Sequence, residues 1–88
     1  MSALKSFSFT KNAYKDYEAI KIRNPKLAQK IKDLIKDIMQ NPFNGIGKPE
    51  PLKYELTGCW SRRINQQHRL VYRIDDDELH IISCRFHY

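Results

Sequence analysis

The sequence predicts an α+β fold: one strand, two helices, then an antiparallel β-meander, with a single sheet packed on the two helices. Three observations carry this. An alternating stretch, "LKSFSF", opens the chain as a strand. Residues 25–40 carry an apolar stripe at helical spacing. Three strand-like runs, "CWSRRI", "RLVYRI" and "ELHIISCRFHY", complete it.

Each element has its own local reason. In the first strand, Leu4, Ser6 and Ser8 alternate with Lys5, Phe7 and Phe9. Thr10 then suits the N-cap of a helix over residues 11–23, where Tyr14, Tyr17 and Ile20 or Lys21 recur at helical spacing. Asn24-Pro25 is a cap residue followed by proline at the first helical position, which restarts the helix. Leu27, Ile31, Leu34, Ile35, Ile38 and Met39 form the stripe of the second helix, which ends near Asn41-Pro42. "NPFNGIGKPEP" is a loop, rich in proline and glycine, and loops of this length in small domains are more often functional than idle. The 88 residues suffice for one domain, residues 1–88, with one modest core.

Composition narrows the class of function. At 41% hydrophobic and 30% charged the chain reads as globular, and its apolar runs are too short to span a bilayer. With no leader-like pattern at the start, the expected compartment is the cytoplasm. Cys59 and Cys84 lie inside strand-like runs and are expected to be buried thiols. No metal-ligand spacing, phosphate-binding loop or dinucleotide glycine pattern occurs, so neither a metal nor a cofactor is expected. Sixteen Lys and Arg against ten Asp and Glu give a net charge of +6, which favours a polyanionic partner over a merely solvated surface only if the charges cluster.

Strand parity predicts that they do. Side chains alternate across a strand, so loop length decides which residues share a face. An odd loop, Gln66-Gln67-His68, keeps Ile64 and Leu70 on one face. A three-residue turn, Asp75-Asp76-Asp77, keeps parity through the second hairpin. Trp60, Ile64, Leu70, Tyr72, Ile74, Ile82, Cys84 and Phe86 are then expected to face the helices. Arg63, Arg69, Arg73, Ser83, Arg85 and His87 are expected on the opposite face. A solvated outer face usually mixes signs, whereas one-signed neighbours repel across strands. Clustered arginines suit phosphate, to which each can donate two hydrogen bonds.

Pro49-Glu50-Pro51 adds an acid. Proline fixes its own φ and pushes the preceding residue out of the helical region, so Glu50 is held extended among bases. An ordinary salt bridge is the plain reading. The sharper one is phosphoryl transfer on RNA, in which a carboxylate takes the ribose 2′-OH proton, an arginine stabilises the phosphorane and a histidine protonates the leaving 5′-oxygen. That chemistry requires no metal.

"NPFNGIGKPEPLKYELTGCWSRRINQQHRLVYRI", with the terminal "CRFHY", closely resembles the YoeB-type toxins of the RelE/ParE superfamily. The likeness covers nearly the whole chain from the first strand onward. It implies a bacterial-ribonuclease-like fold and the toxin half of a type II toxin–antitoxin pair, a ribosome-dependent mRNA interferase that cleaves the messenger in the ribosomal A site. By resemblance, the catalytic set is Glu50, Arg69, His87 and Tyr88. Lys53 and Arg63, with Lys48 and Arg62, match basic contacts to the RNA backbone. The expected partners are an acidic YefM-like antitoxin, the ribosome with its messenger and a second copy of the chain, without a membrane. The strand pattern runs to His87-Tyr88, and the resemblance makes that end the working edge of the site, where Tyr88 would stack on or orient a base. The alternative from another class is a non-catalytic binder: the ParE branch shares the fold, acts on DNA gyrase and lacks the catalytic set. A plain basic RNA-binding domain is the third.

Overall fold

A computed structural model describes the backbone of residues 4–86 and the side chains of residues 4–85. His87, Tyr88 and the side chain of Phe86 lie outside the described residues.

β1 (Ser6–Phe9) leads into α1 (Lys11–Arg23) and α2 (Pro25–Gln40), as the caps predict. The Thr10 hydroxyl accepts from the Ala13 amide at 3.2 Å, and the Asn24 side chain accepts from the Leu27 amide at 3.2 Å. Each thereby satisfies an amide that the first turn leaves over. Then come β2 (Glu50–Pro51), β3 (Trp60–Arg63), β4 (Arg69–Asp75) and β5 (Glu78–Phe86). They form one sheet in the order β1-β5-β4-β3-β2. β1 runs parallel to β5, and the remaining pairs are antiparallel. β2 was expected as loop; its two residues pair with β3, Glu50 opposite Ser61.

The helices cover one face of the sheet. Tyr17 and Ile20 of α1 and Ile31, Leu34, Ile35 and Ile38 of α2 pack with Leu70, Tyr72, Leu79, Ile81 and Cys84. Cys59 and Cys84 are free buried thiols, as expected. Burial, helped by the charge of Asp16, pushes the Cys84 thiol up to about 12, so it stays protonated. Among the described residues no helix is long and apolar enough to cross a membrane.

The second hairpin departs from the parity expectation. Asp75 pairs with Glu78, so the turn is the two residues Asp76 and Asp77, with φ of 51° and 64°. Two left-handed residues make the tight turn whose twist matches a hairpin, and aspartate tolerates that conformation better than most residues. The even turn flips the face of β5. Leu79 and Ile81 meet the helices, and Ile82, expected there, lies on the other side. Register shifts between Arg69 and Tyr72 then return Cys84 to the core face. The outer face is not bare either. Leu52, Cys59 and Val71 form a second apolar cluster there, joined by Leu56 and Ile82.

Candidate active site

The first hairpin keeps the expected parity. Arg63 pairs with Arg69 and Arg62 with Leu70. Successive residues of β3 therefore point to opposite faces, and each arginine inherits a different environment.

On the outer face, Arg69 is 8% exposed. Its Nε donates to Ser61 Oγ at 2.8 Å, and its Nη2 donates to the Lys48 carbonyl at 3.0 Å and the Ser61 carbonyl at 3.4 Å. The same Nη2 lies 3.3 Å from Glu50 Oε1, in an ion pair whose carboxylate side is half exposed. Arg63, directly across the ladder, is solvent-exposed. Two guanidinium groups facing one another repel, and the Glu50 carboxylate offsets that repulsion. Together Glu50, Arg63 and Arg69 line a cleft of about 680 Å³, whose other walls are Asn65, Gln66, Gln67 and His68. Asn65 shapes that rim: its side-chain oxygen accepts from the amides of Gln67 at 2.8 Å and His68 at 2.7 Å.

On the inner face, Arg62 is fully buried. Its Nε donates to the Tyr72 hydroxyl at 3.2 Å. Nη1 donates to Asp37 and to the Ile46 carbonyl, and Nη2 donates to the carbonyls of Asn41 and Asn44. All five guanidinium N–H groups thus have protein acceptors. The expectation that Arg62 contacts RNA is corrected: its side chain is a buried clasp for residues 41–46, beyond reach of a polyanion. Partial burial works against the charge on Asp37. The Arg62 hydrogen bond and charge, the Ile46 amide and the Asn41 side chain outweigh it and hold the carboxyl below the usual aspartate range. Burial pushes the Tyr72 hydroxyl up, against the opposing pull of Arg62. That hydroxyl donates to the Pro42 carbonyl at 2.8 Å.

The clasp also fixes the path of the chain toward Glu50. Gly45 has φ of 119°, and a Cβ there would lie 2.1 Å from Asp37 Oδ2. Gly47 has φ of 82°, and its carbonyl accepts from the Arg63 amide at 2.6 Å. Only glycine meets both demands. The next residues deliver the Lys48 carbonyl and the Glu50 carboxylate to Arg69.

The structure therefore brings Glu50, Arg63 and Arg69 together. Lys48 is exposed and reaches the group through its carbonyl, its side chain not lining the cleft, and Lys53 lines an adjoining groove with Glu50. Arg73 pairs with His80, toward the far end of β4, and neither it nor Arg85 lines the cleft. His87 and Tyr88 lie outside the described residues. Ser61, Asp37 and Asn65 were not anticipated. Odd parity with Arg63 and Arg69 was the signal for Ser61. Asp37 had none, because its acceptor role depends on a partner 25 positions away. Among the described residues no cluster of three or more His, Cys, Asp or Glu could hold a metal ion. A carboxylate and a fixed guanidinium at an open cleft can take a proton and steady an anionic phosphorus centre.

A profile of the YoeB-like toxin of bacterial type II toxin–antitoxin systems matches residues 9–88. The chain is 57% identical over 81 residues to Toxin YoeB of Synechocystis sp., covering 92% of this chain and 94% of that one. The fold is similar to a YoeB dimer from Staphylococcus aureus, with a TM-score of 0.90 and 46% identity over 98% of this chain and 100% of the other. It is also similar to a YoeB–YefM complex from Staphylococcus aureus, with a TM-score of 0.87 and 46% identity over 99% and 100% of the two chains. The chain belongs to the family of YoeB-like toxins of bacterial type II toxin–antitoxin systems.

Proposed function

We propose that this toxin is a ribosome-dependent endoribonuclease, with residues 1–88 acting as one domain that cleaves messenger RNA in the ribosomal A site and so halts translation. One observation carries the reading: a buried guanidinium, fixed by Ser61 and the Lys48 carbonyl, stands 3.3 Å from a half-exposed carboxylate in an open basic cleft.

Glu50 takes the proton of the ribose 2′-OH. The 2′-oxygen attacks phosphorus, and Arg69 stabilises the charge that gathers on the phosphorane oxygens. The bond from phosphorus to the 5′-oxygen breaks, and His87 supplies the proton to that leaving oxygen. The products are a 2′,3′-cyclic phosphate and a 5′-hydroxyl. These groups suffice without a metal. Tyr88 orients a base, while Lys48, Lys53 and Arg63 meet the RNA backbone. The resting Glu50–Arg69 pair opens as phosphate takes the guanidinium. The solved relatives and the charge of the basic face together point to the partners: an acidic YefM-like antitoxin over that face, and a second copy of the chain as in the dimer. The working compartment is the cytoplasm, where the ribosomes are.

The test is Glu50→Gln on ribosomes programmed with a defined messenger. General acid–base catalysis contributes about 10²–10⁴-fold. Cleavage should fall by that factor while the variant still binds the ribosome. Cleavage at the wild-type rate would overturn the assignment.

A further inference from the structure

Glu50 separates two concavities. On its other side a groove of about 470 Å³ is lined by residues 50–56. Tyr54 stands in it, 85% exposed, the most exposed aromatic side chain among the described residues. Single exposed apolar residues are ordinary. This one differs in its backbone. Tyr54 has φ of 60°, a left-handed conformation that residues with a Cβ adopt at a cost and that concentrates at functional sites.

The surrounding chain enforces that conformation. The Leu52 amide donates to the Cys59 carbonyl at 2.9 Å, and the Cys59 amide donates to the Leu56 carbonyl at 2.9 Å. The Leu56 amide donates to the Lys53 carbonyl at 3.1 Å. Thr57 donates twice to the Tyr54 carbonyl, from its amide at 3.0 Å and its hydroxyl at 2.7 Å. Leu52 and Leu56 anchor the excursion in the outer apolar cluster with Cys59 and Val71. A loop anchored at both ends thus holds an aromatic side chain on a left-handed backbone in solvent, with Lys53 and Glu55 beside it and Glu50 as the shared wall.

We propose that Tyr54 is a stacking platform for one base of single-stranded RNA beside the scissile linkage, with Lys53 meeting the phosphate of the same nucleotide. The proposal rests on the ribonuclease reading and adds a base-binding subsite to it. Single-stranded RNA offers both complements at once, a π-face for the ring and an anion one linkage away for the lysine. An acidic protein segment would match Lys53, but its carboxylates supply no π-face for the ring.

The experiment is a cycle of variants and abasic messengers on programmed ribosomes, read as single-turnover cleavage. Tyr54→Gly suits the left-handed backbone and keeps the fold; Tyr54→Phe keeps the ring. Stacking on an aromatic side chain corresponds to about 5- to 150-fold. In the wild type, one abasic position beside the scissile linkage should cost that factor. Tyr54→Gly should lose a similar factor on intact messenger and nothing further on the abasic one, and Tyr54→Phe should behave as wild type. If every abasic position costs Tyr54→Gly what it costs the wild type, the subsite does not exist. If Tyr54→Gly cleaves normally and instead loses affinity for an acidic antitoxin segment, the occupant is a protein and the proposal is overturned. If the wild type leaves the messenger intact, the ribonuclease reading fails, and this subsite with it.

Discussion

Arg62 and Arg69 are both buried and lie on facing strands one residue pair apart, yet their surroundings differ in kind. Arg62 faces the helices, and four backbone or hydroxyl oxygens and one carboxylate absorb its donors. Arg69 faces outward and meets a hydroxyl, two carbonyls and a half-exposed carboxylate at the rim of a cleft. Burial alone does not distinguish a structural arginine from the one proposed to act on RNA; the partners do. Carbonyls of a folded loop cannot leave. A guanidinium at a solvent-open rim can exchange its carboxylate for a phosphate.

Substitution should split the two arginines by what is lost. Arg62→Met removes one partner of a buried pair and leaves loop carbonyls unsatisfied, an effect of about 3–5 kcal/mol. A urea titration should show that loss, and a midpoint equal to wild type would mean the clasp is idle. Arg69→Lys keeps the charge but loses the planar fork. Loss of one preorganised donor to a developing anion costs about 10²–10³-fold, so cleavage should fall by that factor, with a smaller shift of the unfolding midpoint than Arg62→Met gives. Equal stability losses in both variants would erase the distinction between them.

A smaller effect concerns pH. Asp37 has a depressed folded-state pKa, so its contribution to stability is complete above the ordinary aspartate value of 3.8 and is lost as pH falls through the lower folded value. Asp37→Asn should therefore be less stable than wild type at neutral pH, and the gap should narrow only below that value. Urea midpoints measured from neutral to strongly acid pH check this. A gap that stays constant across the range would show that the Asp37 charge contributes nothing.

Much of this was legible from local rules. Thr10, Asn24 and Pro25 mark helix starts with side-chain chemistry that acts within three residues, and both helices lie where those signals put them. The first hairpin kept its parity, and Ile64 and Leu70 both lie in the core under the helices. The second did not. Its turn uses two left-handed aspartates in place of the usual glycine, and a bulge later in the strand conceals the slip by restoring Cys84. Glu50 and Arg69 could be paired in advance because resemblance named them and parity put Arg69 outward. The inward fate of Arg62 was implied by the same parity, since it shares even numbering with Trp60 and Leu70. Its acceptors were not legible, because they come from backbone carbonyls of a loop without regular structure.

The central claim is that the Glu50–Arg69 cleft activates the 2′-hydroxyl of a messenger. The most direct measurement is cleavage by the wild-type toxin of a ribosome-bound messenger with a single 2′-deoxy substitution at the scissile nucleotide. The expected result is no cleavage at that linkage and undiminished toxin binding, because the nucleophile is gone while the phosphate remains for Arg69. Cleavage of the deoxy linkage at the rate of the unmodified one would contradict the account, since the attacking oxygen would then come from elsewhere.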